Sequence, residues 1–212
     1  MTLKTKLEHE SHGDLPHPPA PLPDTGEGSV VSRSASLVGW TPLERAKRLK
    51  LMAFDVDGVL TDGSLYFTPG GDEIKVFSSL DGHGLKMLQS CGVRLAIITG
   101  RKSTMVEKRA ANLGITLLYQ GVEDKRAVLL ALLPELGLAP EETGYMGDDV
   151  VDLPILRTCG FSASVADGHE FVRQHVQWVS RFGGGRGAVR ELCDFILKAQ
   201  GHYDRLMAGY LA

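Results

Sequence analysis

Apolar positions in this chain fall into short runs broken by polar punctuation, and the runs come in two lengths. Leu51 to Phe54 is a continuous apolar run of strand length, stopped by Asp55-Val-Asp-Gly58. Unbroken runs of this kind suit a parallel strand covered on both faces. Val93 to Ile98, Thr116 to Tyr119, Thr143 to Met146, Gly160 to Val165 and Val176 to Val179 read the same way. Between them lie helical patterns at Leu85 to Cys91, Ser103 to Leu113, Asp124 to Leu136, Val151 to Arg157 and Ala188 to Gln200, with one helical turn at His169 to Arg173. Ser103 is placed as an N-cap, and Gly114 and Gly137 stand where helices are closed. Strands alternating with helices of this length predict an α/β fold, a doubly wound parallel sheet with helices on both faces.

One stretch breaks the alternation. Leu65 to Thr68 and Glu73 to Phe77 are strand-like and flank the turn cluster Pro69-Gly-Gly-Asp72. They predict a β-hairpin, residues 64–77, projecting from the sheet as a small flap. Ahead of the first strand, Trp40 to Lys50 reads as a short lead-in helix with Thr41 as N-cap and Pro42 in its first turn. Residues 1–40 differ from everything after them. Five of the ten prolines fall between Pro16 and Pro23, among polar residues with little periodicity, so this segment is expected to be a disordered tail. His9, His12 and His17 are irregularly spaced within it and read as solvated. The folded domain is expected over 41–201, with 202–212 as a C-terminal tail.

Composition narrows the function. At 212 residues and 43% hydrophobic content the chain suits one ordinary domain. Its net charge of −3 shows no basic stripe for nucleic acid, and no apolar run approaches the roughly 18 residues of a membrane span. The start lacks the basic and apolar regions of a signal peptide. Cys91, Cys159 and Cys193 have no metal-type spacing and read as reduced thiols of a cytoplasmic protein.

The candidate chemistry sits at strand ends. Asp55 and Asp57 repel each other unless a cation or proton lies between them, and Mg²⁺ is the natural hard cation for such oxygens. Gly58 lets backbone approach a ligand closely. Thr99 and the Gly100 amide precede a helix and can donate to a phosphate, with Arg101 next. Lys125 supplies a compact positive charge, and Gly147-Asp148-Asp149 adds a third carboxylate, with Asp152 at the following helix start. Singly, these read as an acidic turn, a solvated lysine, a polar loop and a helix cap. Their joint appearance, each just after a buried strand on one edge of the sheet, points to a ligand site.

Asp55-Val-Asp-Gly, Thr99, Lys125 and Gly147-Asp-Asp-Val-Val-Asp152 together resemble the four motifs of the haloacid dehalogenase superfamily of phosphohydrolases. Ile98-Thr-Gly-Arg-Lys-Ser, Leu113-Gly-Ile-Thr-Leu-Leu-Tyr-Gln-Gly and Gly183-Gly-Gly-Arg-Gly-Ala-Val-Arg-Glu-Leu-Cys-Asp194 resemble its 3-deoxy-D-manno-octulosonate 8-phosphate phosphatase branch. The resemblance implies Asp55 as nucleophile and Asp57 as general acid and base. It implies Mg²⁺ held by Asp55, Asp148 and the Asp57 carbonyl, a phosphate clamp of Thr99, Gly100 and Lys125, and supporting roles for Asp149 and Asp152. A sugar acid would meet Ser78, Ser79, Leu80, Asp81, Gly82, Lys86, Arg101 and Arg109, some of them in a neighbouring subunit's site. Lys86 stands where an arginine is expected. Arg186, in the triple-glycine run, is a further candidate, and His83 reads as a turn residue. The resemblance also implies a minimal cap, a homotetramer and a place in lipopolysaccharide precursor synthesis. Competing readings are a nine-carbon ulosonic acid 9-phosphate as substrate, a non-catalytic regulatory subunit of the same fold, and a phosphoacceptor domain.

Overall fold

The structure, a computed structural model, describes residues 39–212, so the expectation for the tail at residues 1–38 lies outside the described residues. Helix α1 (Pro42–Ala46) starts as expected: Thr41 and Glu44 cap each other reciprocally, satisfying two amides that the first turn leaves without partners. Then comes β1 (Leu51–Phe54), every residue of it buried. The strands that follow in the main sheet are β4 (Arg94–Thr99), β5 (Leu117–Gln120), β6 (Thr143–Met146), β7 (Phe161–Ser164) and β8 (Trp178–Val179), after a separate hairpin of β2 (Tyr66–Phe67) and β3 (Glu73–Ile74). The sheet order is β5-β4-β1-β6-β7-β8 and every pairing in it is parallel. The chain builds outward from β1 in one direction, returns, and builds outward in the other. β1 therefore lies at the topological switch point, where open α/β sheets bind ligands.

Side chains of each strand alternate between two cores. Met52, Phe54, Leu95, Ile97 and Met146 pack on one face with α2 (Ser79–Ser90), α3 (Thr104–Leu113) and α7 (Ala188–Ala199). Leu51, Ala53, Ala96, Ile98 and Tyr145 pack on the other with α4 (Lys125–Leu136), α5 (Leu153–Leu156) and α6 (Glu170–Arg173). Burial of each such large side chain contributes about 1.5–3 kcal/mol. Because β1 is covered on both sides, its polar continuation at Asp55 can reach solvent only beyond the strand's end.

Three segments differ from the sequence expectation. The helix expected at Leu85 begins six residues earlier, at Ser79, with the Ser78 side chain accepting from the Asp81 amide. Gly82 and Gly84 disguise it, since glycine weakens a helix interior. Here they are needed: a Cβ on Gly82 would strike the Arg109 guanidinium, and one on Gly84 would meet Arg190 and Cys193 of α7. Residues 202–212, expected as a tail, carry α8 (Tyr203–Gly209), with Tyr203, Leu206 and Met207 packed on the core and Tyr210 Oη 3.1 Å from His83 Nε2. The helix read at Val151 to Arg157 is a 3₁₀ turn, Val150–Asp152, running into α5. The lead-in helix expected to Lys50 ends at Ala46, and the remaining elements lie within three residues of their expected ends. No helix among the described residues is long and apolar enough to cross a membrane.

Candidate active site

Asp55 and Asp57 leave the end of β1, Thr99 ends β4, Lys125 begins α4 and Asp148 follows β6. With Gly100, Arg101, Asp149, Val122 and Glu123 they line one open cavity of about 590 Å³ at the carboxyl edge of the sheet. The loop from β1 is held in register by the sheet itself: the Asp55 amide donates to the Met146 carbonyl at 3.0 Å. At Gly58 the backbone has φ of +86° and passes so close to Asp148 that a Cβ would overlap its carboxylate. Both constraints exclude a side chain there.

Beneath the cavity floor lies a buried chain of charges. Lys125 Nζ is 2.7 Å from Asp55 Oδ2 and 2.6 Å from Asp152 Oδ1. Asp152 is fully buried, and its other oxygen accepts from the amides of Asp148 (3.1 Å) and Asp149 (3.3 Å). The Tyr145 hydroxyl sits between the Ile98 carbonyl oxygen at 2.9 Å and Asp152 Oδ1 at 3.2 Å. Burial pushes the Tyr145 phenol well above its ordinary value, so it stays a neutral donor. Burial opposes the charge on Lys125, but Asp55 and Asp152 outweigh it and hold the ammonium protonated. Asp152 thus orients Lys125 from behind, and Lys125 and the Val56 amide (2.7 Å) fix the Asp55 carboxylate.

The donor set fits a divalent cation. Carboxylate oxygens of Asp55, Asp148 and Asp152 lie within 4.8 Å of one another. Asp152 is consumed by Lys125 and the two amides, which leaves Asp55 and Asp148 open to a cation. One lysine cannot balance this much negative charge. Burial first, then the charges of Asp152, Asp55 and Asp149, push the Asp148 carboxyl up to about 7. Asp55 is likewise raised by burial and by Asp152. Such shifts mark a site that a hard cation would relieve.

A pH dependence follows for the metal-free protein. The folded state holds a proton on Asp148 up to about 7, whereas the unfolded chain releases it near the usual 3.8. Lowering the pH through that window therefore favours the folded state. Carboxylates held below their ordinary range, such as Glu142, Glu191 and Glu73, lose their contribution only as the pH falls below the usual glutamate value of 4.5. The melting temperature of metal-free protein is expected to rise between about pH 8 and 5.5, and added Mg²⁺ to stabilise it far more at the higher pH. A metal-free melting temperature that falls over this range would contradict the charge arrangement.

Other residues expected at the site are not in this cavity. Asp81 is buried and turned to α7, where its oxygens accept from the Arg190 amide (2.8 Å) and the Gly187 amide (3.4 Å), capping a helix whose own N-cap residue has no side chain. Arg109 donates to the Ser78 carbonyl at 2.9 Å and lies over the Phe77 ring, beside Gly82. Leu80 borders a separate groove with Trp178 and Arg190, and Ser79 and Lys86 are exposed on α2. Arg186 pairs with Asp62 at 3.3 Å. Conversely, two flap residues that sequence reasoning did not single out, Glu73 and Lys75, reach the cavity rim. Lys75 Nζ meets Asp57 Oδ1, and Arg101 bonds Glu73 at 2.6 Å. Alternation was the signal: in the extended segment 73–76, Glu73 and Lys75 are partly buried while Ile74 and Val76 are exposed.

A parallel doubly wound sheet with paired aspartates after β1, a threonine ending β4, lysine opening α4 and a carboxylate cluster after β6 defines a hydrolase of the haloacid dehalogenase superfamily. No protein-family model matches the chain. It is 45% identical over 162 residues to the 3-deoxy-D-manno-octulosonate 8-phosphate phosphatase KdsC of Escherichia coli, covering 76% of this chain and 86% of that protein. A probable YrbI family phosphatase from Pseudomonas syringae pv. phaseolica matches at 51% identity and a TM-score of 0.80, over 81% of this chain and 97% of the other. The Moraxella catarrhalis 3-deoxy-D-manno-octulosonate 8-phosphate phosphatase, solved with a magnesium ion, a phosphate ion and a KDO molecule, matches at 44% and 0.78, over 80% and 97%. The chain belongs to the 3-deoxy-D-manno-octulosonate 8-phosphate phosphatase family.

Proposed function

We propose that this chain is a Mg²⁺-dependent phosphatase that hydrolyses 3-deoxy-D-manno-octulosonate 8-phosphate to the free sugar acid and inorganic phosphate. The observation that carries the reading is the buried Asp152–Lys125–Asp55 chain, which aims a fixed carboxylate at a cavity edged by Thr99, Gly100 and Asp148. A carboxylate so held is suited to nucleophilic attack. An oxygen of Asp55 attacks phosphorus in line, forming an aspartyl-phosphate as the bond from phosphorus to the sugar oxygen breaks. Asp57 delivers a proton to that leaving oxygen. It then takes a proton from the water that attacks phosphorus, releasing phosphate and restoring Asp55. Thr99, the Gly100 amide and Lys125 hold the phosphoryl oxygens throughout, and Asp149 and Asp152 order the loop and the lysine. Mg²⁺, held by Asp55, Asp148 and the Asp57 carbonyl, would supply charge neutralisation of the transferring group.

Arg101, half-exposed on the cavity wall, is the cation placed to meet the substrate's carboxylate. The flap is too short to roof this cavity alone, and it exposes Leu65, Tyr66, Phe67, Ile74 and Val76. An apolar patch of that kind suits burial against further copies of the chain, which supports a homotetramer. Lys86 and Arg109, outside their own cavity, would then serve a neighbouring subunit's substrate, with Ser78, Ser79, Leu80 and Gly82 nearby. Replacing Ile74 and Val76 together with Asp is expected to shift the sedimentation coefficient to that of a smaller species. An unchanged assembly would remove this support.

The function is tested by phosphate release from the eight-carbon substrate, beside a nine-carbon ulosonic acid 9-phosphate and simple hexose phosphates. Preference for the eight-carbon acid, dependent on Mg²⁺, is expected; it would put the enzyme in cytoplasmic lipopolysaccharide precursor synthesis. Equal rates on the nine-carbon acid would move the pathway and leave the chemistry. No release from any of them would favour the regulatory-subunit reading.

A further inference from the structure

The flap is built inside out. Glu73, Lys75 and Phe77 turn toward the protein, while Ile74 and Val76 are 49% and 61% exposed. The Lys75 side chain is only 3% exposed, an unusual state for a lysine and one that requires a partner. Its partners are Asp57 Oδ1 and, at 3.4 Å, Glu73 Oε1. Arg101 reaches the same two acids from the loop after β4, at 2.6 Å from Glu73 and a looser 3.5 Å from Asp57 Oδ2. The two catalytic-loop carboxylates are thus anchored by different means. Asp55 is gripped from below by the Val56 amide and Lys125. Among the described residues, the carboxylate of Asp57 is held by the flap lysine and by Arg101, the lysine being the closer and the less exposed.

We propose that Lys75 is a positioning residue that acts through Asp57, so that closure of the flap places the Asp57 carboxylate against the oxygen of the leaving group. Glu73 steadies this contact by pairing with both cations. The proposal rests on the phosphatase reading above and adds to it the reason the flap carries charge on its inner face. Lys75 itself gives up no proton: Asp57 takes one from solvent on Oδ2, the oxygen that Lys75 leaves free, before the flap closes, and passes it to the leaving oxygen. Because the flap is a two-stranded hairpin outside the main sheet, the contact forms when the flap lies over the cavity and is lost when it lifts. Proton delivery is thereby tied to the flap lying over Asp57, which limits loss of the proton to bulk water.

The test exploits the leaving group. An alkoxide departs poorly without a proton, whereas p-nitrophenolate leaves unaided. In the full-length protein with Mg²⁺, Lys75→Met is expected to lower kcat/KM on 3-deoxy-D-manno-octulosonate 8-phosphate by about 10²-fold, the scale of general acid assistance, and on p-nitrophenyl phosphate by less than about threefold. Asp57→Asn should show the same selectivity, and the double variant should be no worse than Asp57→Asn alone, since both changes remove one effect. Lys75→Arg should recover part of the loss. Glu73→Gln, a change at the flap rim, should shift the substrate ratio in the same direction by a smaller factor, which keeps the test open if Lys75→Met folds poorly. Equal losses on both substrates would overturn the proposal. So would losses that multiply in the double variant, which would make Lys75 a direct substrate contact. A wild-type chain that hydrolyses neither substrate would contradict the phosphatase reading itself, and the proposal with it.

Discussion

Asp55→Asn is expected to abolish Mg²⁺-dependent phosphate release, lowering kcat on the order of 10⁴-fold or more, the scale seen when a covalent nucleophile is removed. The loss should appear without unfolding. Asparagine keeps the shape, and its single oxygen can still accept from one of the two donors that hold Asp55, the Val56 amide at Oδ1 or Lys125 at Oδ2. It also removes one of three crowded carboxylates, where burial first and then mutual repulsion raise Asp55 and Asp148. The variant is therefore expected to melt at or above the wild-type temperature when metal-free. Activity is measured by phosphate release and stability by thermal unfolding. A variant that keeps more than about a hundredth of wild-type kcat would remove Asp55 from the nucleophile's role.

Lys125→Met should cost both stability and activity. The lysine is the only cation in contact with Asp55 and with fully buried Asp152 among the described residues. Its removal leaves buried negative charges without a partner, a loss of about 3–5 kcal/mol. For a chain of this size that amounts to roughly 6–20 °C in melting temperature. Adding Asp152→Asn should return much of the stability, because the second change removes the stranded charge, but it should not return activity, because Asp55 stays unpositioned. Thermal unfolding of the two single variants and the double variant measures the coupling. Additive losses would mean that Lys125 and Asp152 do not act as one unit.

The parts of this molecule that were legible beforehand are those where local pattern and tertiary demand agree. The apolar run Leu51 to Phe54 must be covered on both faces, and it is the central strand of the sheet. The caps at Thr41, Ser103, Gly114 and Gly137 act where their chemistry placed them. The cavity residues Asp55, Asp57, Thr99, Gly100, Arg101, Lys125 and Asp148 were each visible as polar residues just past a buried strand or opening a helix, and the parallel topology brings them to one edge. What escaped depended on contacts across the fold. The first turns of α2 look like a loop because Gly82 and Gly84 oppose helix formation, and only the close approach of Arg109, Arg190 and Cys193 explains them. Asp81 resembled a ligand-binding acid, yet it caps α7 from another helix. Asp152 reads from its position alone as a helix-start charge; the resemblance implied that it orients ligands or Lys125, but its full burial and its direct bond to a lysine distant in sequence come only from the fold. Tyr145, within an apolar strand, hides its hydroxyl's task in the same way. Lys75 escaped because alternation separates Glu73 and Lys75 from Ile74 and Val76 without saying which face turns inward until the site that the flap covers is known.

In the proposed mechanism Asp55 takes the phosphoryl group from a sugar-acid phosphate in a Mg²⁺-dependent step. Its most direct test is rapid acid quenching of the protein mixed with 3-deoxy-D-manno-octulosonate 8-phosphate, followed by mass spectrometry of the peptide spanning Leu51 to Thr61. With Mg²⁺ a transient gain of one phosphoryl group on Asp55 is predicted, decaying as free phosphate appears, and absent without the metal or in Asp55→Asn. Phosphate release at full rate with no phosphorylated peptide, or with the group on another residue, would contradict the account.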